Sequence, residues 1–343
     1  MAGRRRRKPL ARAGRRRITR AMRILFVTST RIGDAVLTSG LLHHLVTAHP
    51  GAAVTVACGP PAAPLFEAVP GLERLIVMDK KPCASHWFRL WAQAAGRYWD
   101  KIVDLRGSPV TALVPHGWRR SWQSVRTPEH RVVQLSRLVG LDTPAAPFLY
   151  LHPRHTEASA KLVPGGSPVL ALGPTANWRG KEWPIDRFIE LCRRLTGPEG
   201  ALAGARIAVI GAANERAAAA ALLDAFRGPG LIDLMDTELM TAYACLRRAR
   251  VYIGNDSGLM HMAAASGTPT LGLFGPSPDI HYAPYGPACA VVRTLESYAE
   301  LMPPGFDVNI THTLMGNLTI DTVEGAARAL IARTATRAGP VAS

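Results

Sequence analysis

The chain has 343 residues, 48% hydrophobic and only 19% charged, so it can bury two cores and falls outside the disordered classes. Its net charge of +16 suggests a nucleic-acid binder until the charge is located: residues 1–20 hold nine Arg and one Lys without an acid, leaving 31 basic against 25 acidic residues in the body. Cys58, Cys83, Cys192, Cys245 and Cys289 are odd in number, scattered and free of a C-x-x-C pair, and no apolar run reaches the length of a membrane span, which excludes disulfide-stapled and membrane-spanning classes and leads us to expect a cytoplasmic chain with free thiols and no secretion signal.

In chain order, the basic leader at 1–21 reads in three ways: a disordered arm, an electrostatic foot on anionic lipid or nucleic acid, or an extension upstream of a protein that starts at Met22. Strand sequence begins at once after Met22, so nothing before it is expected to be needed for the fold. Short β-branched runs near 23–28, 53–57, 74–78 and 101–104, with a helical stretch at 34–48, predict a doubly wound domain over 22–150. From 142 to 168 the chain is rich in Pro and Gly and loses periodicity, which places a linker at 151–167. A second series near 168–172, 206–210, 231–234, 251–253 and 269–274, with helices including Ala217–Phe226, predicts another doubly wound domain over 168–335. Neither half carries a G-x-G-x-x-G fingerprint after its first strand or a G-x-x-x-x-G-K-[ST] loop, so dehydrogenases and P-loop enzymes lose their support.

Candidate chemistry sits in the loops that follow strands, where open α/β sheets bind ligands. In Thr28 to Ala35, Gly33 allows a tight turn, and Asp34 reads as a helix N-cap or as a functional carboxylate. In Gly173 to Pro184, Lys181 can neutralise a diphosphate and Thr175 can donate its hydroxyl to the same oxygens. The plainer alternative has Trp183-Pro184 starting a packed helix while Lys181 faces water. Gly254 to Ala265 reads strand, turn, helix, so Ser257 and Gly258 would offer helix N-terminal amides to an anion. Asp256 would orient Ser257, cap the helix or accept a sugar hydroxyl, and His261 reads more readily as a packing histidine than as a participant. Glu215, after the strand ending near Gly211, could bond a ribose hydroxyl or simply suit a helix start, and Gly275-Pro276-Ser277 forms a further loop at the same sheet edge.

Together these motifs resemble the bacterial lipopolysaccharide heptosyltransferases, through Gly33-Asp34-Ala35-Val36, the W-x-x-K-x-W-P segment Trp178–Pro184, the D-S-G-x-x-H-x-A-A segment Asp256–Ala264 and Gly275-Pro276-Ser277. The resemblance covers nearly everything after Met22. It implies a GT-B enzyme, an α/β fold of two doubly wound Rossmann-like domains facing a central cleft, with the acceptor on the first and the nucleotide sugar on the second. Asp34 would be the general base of an inverting, metal-independent transfer, and Lys181 with the amides of Ser257 and Gly258 would stabilise the departing diphosphate. Donor contacts would fall on Thr175, Lys181, Glu215, Asp256, Ser257, Gly258 and His261, and acceptor contacts on Gly33, Arg119, Arg120 and Arg126. The implied donor is ADP-heptose and the acceptor a lipid-linked lipopolysaccharide core or a similar oligosaccharide, met at the cytoplasmic face of the inner membrane, with no cofactor, metal or specific nucleic acid. Two other readings stay open: a nucleotide-sugar epimerase of the same architecture, and a nucleic-acid binder acting through the leader.

Overall fold

The computed structural model describes residues 20–79, 85–123 and 127–335, so most of the leader, Cys83 and Arg126 lie outside the described residues. The first domain has five parallel strands: β1 (Arg23–Val27), β2 (Ala53–Cys58), β3 (Leu72–Val77), β4 (Trp99–Asp104) and β5 (His116–Ser121). They pair in the order β3-β2-β1-β4-β5. Helix α1 (Ile32–Ala48) crosses one face, α2 (Ser85–Ala94) crosses the other, and α3 (Arg131–Leu138) packs beside α1. The second domain contains β6 (Val169–Gly173), β7 (Arg206–Gly211), β8 (Leu231–Met235), β9 (Val251–Asn255), β10 (Thr270–Phe274) and β11 (Cys289–Arg293), ordered β11-β10-β9-β6-β7-β8. Its main helices are α5 (Ile185–Thr196), α6 (Arg216–Ala225), α7 (Leu239–Leu246), α8 (Gly258–Ala265) and α11 (Ile320–Arg333), with the short α9 (Asp279–Tyr282) and α10 (Tyr298–Leu301) between them.

Strands such as Ala-Val-Thr-Val-Ala-Cys and Arg-Ile-Ala-Val-Ile-Gly form central rungs because parallel sheets are covered on both faces and demand apolar side chains throughout. In each sheet the winding reverses beside the first strand, between β1 and β4 and between β6 and β9, and the carboxyl ends at these reversals open onto the ligand crevice of the fold. Both reversals face one another.

Three departures from the sequence reading have physical causes. The edge strands β5 and β11 were not expected: His-Gly-Trp-Arg-Arg-Ser lacks an apolar alternation, and an edge strand needs none on its open side. The linker at 151–167 contains a helix, α4 (Pro153–Leu162), because Pro153 stands at its first turn, where proline starts a helix rather than breaking one. It packs on α7, with His155 buried and its Nδ1 3.1 Å from Thr241 Oγ1. Finally, Arg20 takes part in the fold: its guanidinium pairs with Asp100 at 2.9 Å and bonds Tyr98 O, so residues before Met22 do contribute contacts.

One hydrophobic core runs from the first sheet (Phe26, Val56) through α1 (Val36, Leu41) into α7 and α8 of the second domain (Tyr243, Met260, Ala263). The outer faces have cores of their own, around Leu25, Leu90 and Trp99 in the first domain and around Phe188, Leu191 and Leu330 in the second. No helix among the described residues is long and apolar enough to cross a membrane.

Candidate active site in the interdomain cleft

The two domains meet where the amino ends of α1 and α8 approach each other. A Cβ on Gly258 would stand 2.9 Å from Ile32 Cγ2 and 3.3 Å from Gly33 N, and one on Gly33 would stand 3.0 Å from His261 Cδ2. Only glycines let these two backbones come so close. Two helix amino ends therefore share one place, each with unsatisfied N–H groups and a partial positive charge.

Around this contact opens a cavity of about 820 Å³, within the range of small-molecule sites, with walls from both domains. Thr30 to Asp34 and the rigid Pro60, Pro61 and Pro64 form the first-domain wall. The second contributes Thr175, Lys181, Glu215, Asp256, Ser257, Gly258, His261 and Ser277, together with an apolar stretch of Ile210, Leu239 and Ala242. Every donor-side residue expected from the sequence thus lines one cavity with Gly33 and Asp34. Arg119 and Arg120 are placed elsewhere: Arg119 bonds Thr111 Oγ1 and Ser108 O, and Arg120 lies over the Trp118 ring on β5.

Asp34 is not a helix cap. Arg31 holds the N-cap position of α1, and Asp34 falls in the first turn, its side chain on the cavity. Burial lifts its carboxyl above the ordinary aspartate range, the guanidiniums of Arg31 and Arg131 and the Ser29 hydroxyl draw it back, and the nearby Asp256 adds to the lift.

Lys181 does not face bulk water: its Nζ bonds Asp256 Oδ2 at 2.5 Å, with Asp256 almost fully buried. Asp256 is therefore neither the cap of α8, a place held by Ser257, nor bonded to Ser257; it is the counter-ion of Lys181. Ser257 makes no capping bond with its side chain, and its buried Oγ is without a partner, as is that of Ser277. Both residues line the cavity, with the oxygens themselves buried in its wall, that of Ser257 toward the Tyr252 hydroxyl. His261 is buried, and desolvation holds its pKa down to about 4 against the pull of Asp256 3.9 Å from Nε2, so the ring is neutral. It both packs against Gly33 and lines the cavity, combining roles that the sequence reading set apart.

Glu215 Oε2 accepts the Ala212 N–H at 3.0 Å and the Thr175 hydroxyl at 2.8 Å, which locks the loops after β6 and β7 together. Asn255 does the same for the loop after β6 and the Trp183 segment, accepting from Trp183 N at 3.1 Å and donating to Pro174 O at 2.8 Å. Asn255 and Ser277 stood inside quoted motifs, but only tertiary structure reveals the bonds of one and the unused hydroxyl of the other. Tyr282, also on the cavity, had no sequence signal. Among the described residues no group of three or more His, Cys, Asp or Glu gathers closely enough to hold a metal ion.

Comparison with known proteins agrees with this arrangement. The sequence model of glycosyltransferase family 9 (heptosyltransferase) matches residues 90–302. Lipopolysaccharide heptosyltransferase 2 of Salmonella typhimurium is 24% identical over 320 residues, spanning 82% of this chain and 90% of that protein. In fold, the chain is similar to a family 9 glycosyl transferase from Veillonella parvula, with a TM-score of 0.72 at 18% identity over 91% of this chain and 97% of the other. It is also similar to the ADP-heptose lipopolysaccharide heptosyltransferase II of Escherichia coli, with a TM-score of 0.68 at 20% identity over 92% and 100% of the two chains. Both pairs share the GT-B arrangement of two Rossmann-like domains.

Proposed function

The chain belongs to glycosyltransferase family 9, the heptosyltransferases, and from that premise we propose that it moves a heptose from ADP-heptose to a lipopolysaccharide-type core acceptor, with inversion and without a metal ion. The observation that carries this reading is the single cavity in which Asp34 of one domain faces Lys181 and the amino end of α8 in the other. The donor is named after the heptosyltransferase II of Escherichia coli, and the acceptor after the Salmonella relative.

In this reading the apolar stretch of Ile210, Leu239 and Ala242 takes the adenine, opposite the prolines of the first domain. Glu215 offers its remaining oxygen, Oε1, to a ribose hydroxyl, since Oε2 already carries two bonds. The diphosphate lies at the α8 amino end, where backbone N–H groups and the Ser257 hydroxyl donate hydrogen bonds and Lys181 supplies positive charge. Asp256 keeps the lysine aimed while phosphate is absent. Asp34 then takes the proton of an acceptor hydroxyl as its oxygen attacks the anomeric carbon from the opposite face, and the bonding pair of the glycosidic C–O bond leaves with ADP. A carboxyl lifted above its usual range is a stronger base, while the two arginines oppose the lift and favour its ionised form. A lipid-linked acceptor would bring the protein to the cytoplasmic face of the inner membrane.

The test is ADP release from ADP-heptose, with lipopolysaccharide core acceptors and a chelator present, by the wild type and Asp34→Asn. We expect acceptor-dependent release in the wild type, reduced about 10²–10⁴-fold in the variant with ADP binding unchanged. Donor converted without an acceptor would point instead to an epimerase, and activity lost to the chelator would retract the metal-free mechanism.

A further inference from the structure

Away from the α1–α8 contact, a second set of bonds joins the domains. His130 Nε2 lies 2.9 Å from Ala283 O, and His281 Nδ1 lies 2.8 Å from Glu129 O. A carbonyl only accepts, so each of these ring nitrogens carries a proton. His130 Nδ1 in turn accepts the Val132 N–H at 3.2 Å, which fixes the neutral Nε2–H tautomer. The next residue after His130 is Arg131, the first of α3, and Tyr282 stands between His281 and Ala283.

Arg131 is gripped from both sides of the cleft. Its guanidinium lies 5.0 Å over the Trp122 ring of the first domain and 5.6 Å over the Tyr282 ring of the second, and Nη2 donates to Tyr282 Oη at 3.1 Å. Nη1 bonds Gln134 Oε1 at 3.1 Å, so the fork is oriented at both ends. Tyr282 and Asp34 line the same cavity, and the charge of Arg131 acts on the Asp34 carboxyl.

Resting on the reading of Asp34 as the base, we propose that Arg131 is a positioning residue, held between Trp122 and Tyr282 across the cleft so that its guanidinium supplies the base with a counter-charge. The need for one follows from the surroundings. Asp34 is faced by Arg31 and Ser29 from its own loop, by Arg131 from α3, and by Asp256, with Lys181 bonded to it, from the second domain, while neutral His261 touches Gly33. Burial at the domain contact keeps water from Asp34, and Asp256 faces it from the second domain; both favour the protonated, useless form. Arg31 and Arg131 oppose them, and Arg131 is the one bonded across the cleft, to Tyr282.

The experiment is a titration of the Asp34 carboxyl by carbon-13 NMR, assigned with Asp34→Asn, in the wild type, Arg131→Met, Arg131→Lys and Tyr282→Phe, alongside pH profiles of ADP release. In Arg131→Met the Asp34 midpoint should rise by roughly one pH unit, a tenfold change in proton affinity. Tyr282→Phe should move it the same way by less, and Arg131→Lys should recover most of the wild-type value. The acidic limb of kcat should follow each shift, with KM for the donor little changed. A plain interdomain tie would alter stability or KM and leave the Asp34 midpoint where it was, and that result overturns the proposal whatever the activity. A midpoint that moves in a protein transferring no sugar would uphold the positioning role and defeat the catalytic reading instead.

Discussion

His261 shows how one side chain serves both the domain contact and the site. It is only 5% exposed, its Cδ2 would stand just 3.0 Å from a Cβ on Gly33, and burial depresses its pKa from 6.5 to about 4. The sign follows directly. Below pH 6.5 the unfolded chain binds a proton that the folded one refuses, so stability present above that pH is lost as the pH falls toward 4, by up to about 3 kcal/mol. His261→Gln should therefore lose distinctly less stability between pH 7.5 and 4.5 than the wild type in urea melts. An equal loss in both would assign the acid sensitivity to the other histidines with lowered pKa, His43, His49, His130 and His155. The thiols behave more simply: burial pushes Cys58 and Cys289 up to about 12 and Cys245 to about 11, which makes them packing residues rather than nucleophiles at neutral pH.

The amino ends of α1 and α8 show what an element adds to its residues. Each begins just past a strand at the sheet reversal, and each places a glycine where the other's backbone must pass. Gly258→Ala puts a methyl group 2.9 Å from Ile32 and 3.3 Å from a backbone nitrogen, so the helices must separate. We expect kcat to fall about 10- to 10²-fold, because Asp34 rides on the end of α1 while Ser257 and Gly258 start α8, and a shift near 1 Å between them misaligns attack. ADP affinity should change little, since the groups read as binding it lie on one domain; steady-state kinetics with calorimetric ADP binding separates the two effects. The same helices mark what can be read from sequence. Buried parallel strands announce themselves by short apolar runs, and the loops after them located Asp34, Lys181 and Ser257. The capping role given to Asp34 was an error of three residues, because a carboxylate at either place in a first turn looks alike. The pairing of Lys181 with Asp256, 75 residues apart within the second domain, and of Arg131 with Tyr282, 151 apart across the cleft, was invisible because no local pattern encodes a contact between loops so distant in the chain.

At the scale of the whole molecule, the core crosses the boundary that the linker draws. Phe26 and Val36 belong to the same apolar cluster as Tyr243 and Met260, and α4 carries the chain over α7 instead of leaving a free tether. A cleft between loosely joined domains would let each unfold alone, whereas domains sharing a buried core should open together. Hydrogen exchange read by mass can tell these apart. Added at a hundred times its dissociation constant, ADP should slow the slowest amides of β7, near its own contacts, about 100-fold. It should slow those of β2, across the cleft, by the same factor. Protection confined to β7 would mean that the shared core does not couple the domains. Equal protection would mean that donor binding is felt throughout the fold, including at the loop that holds Asp34.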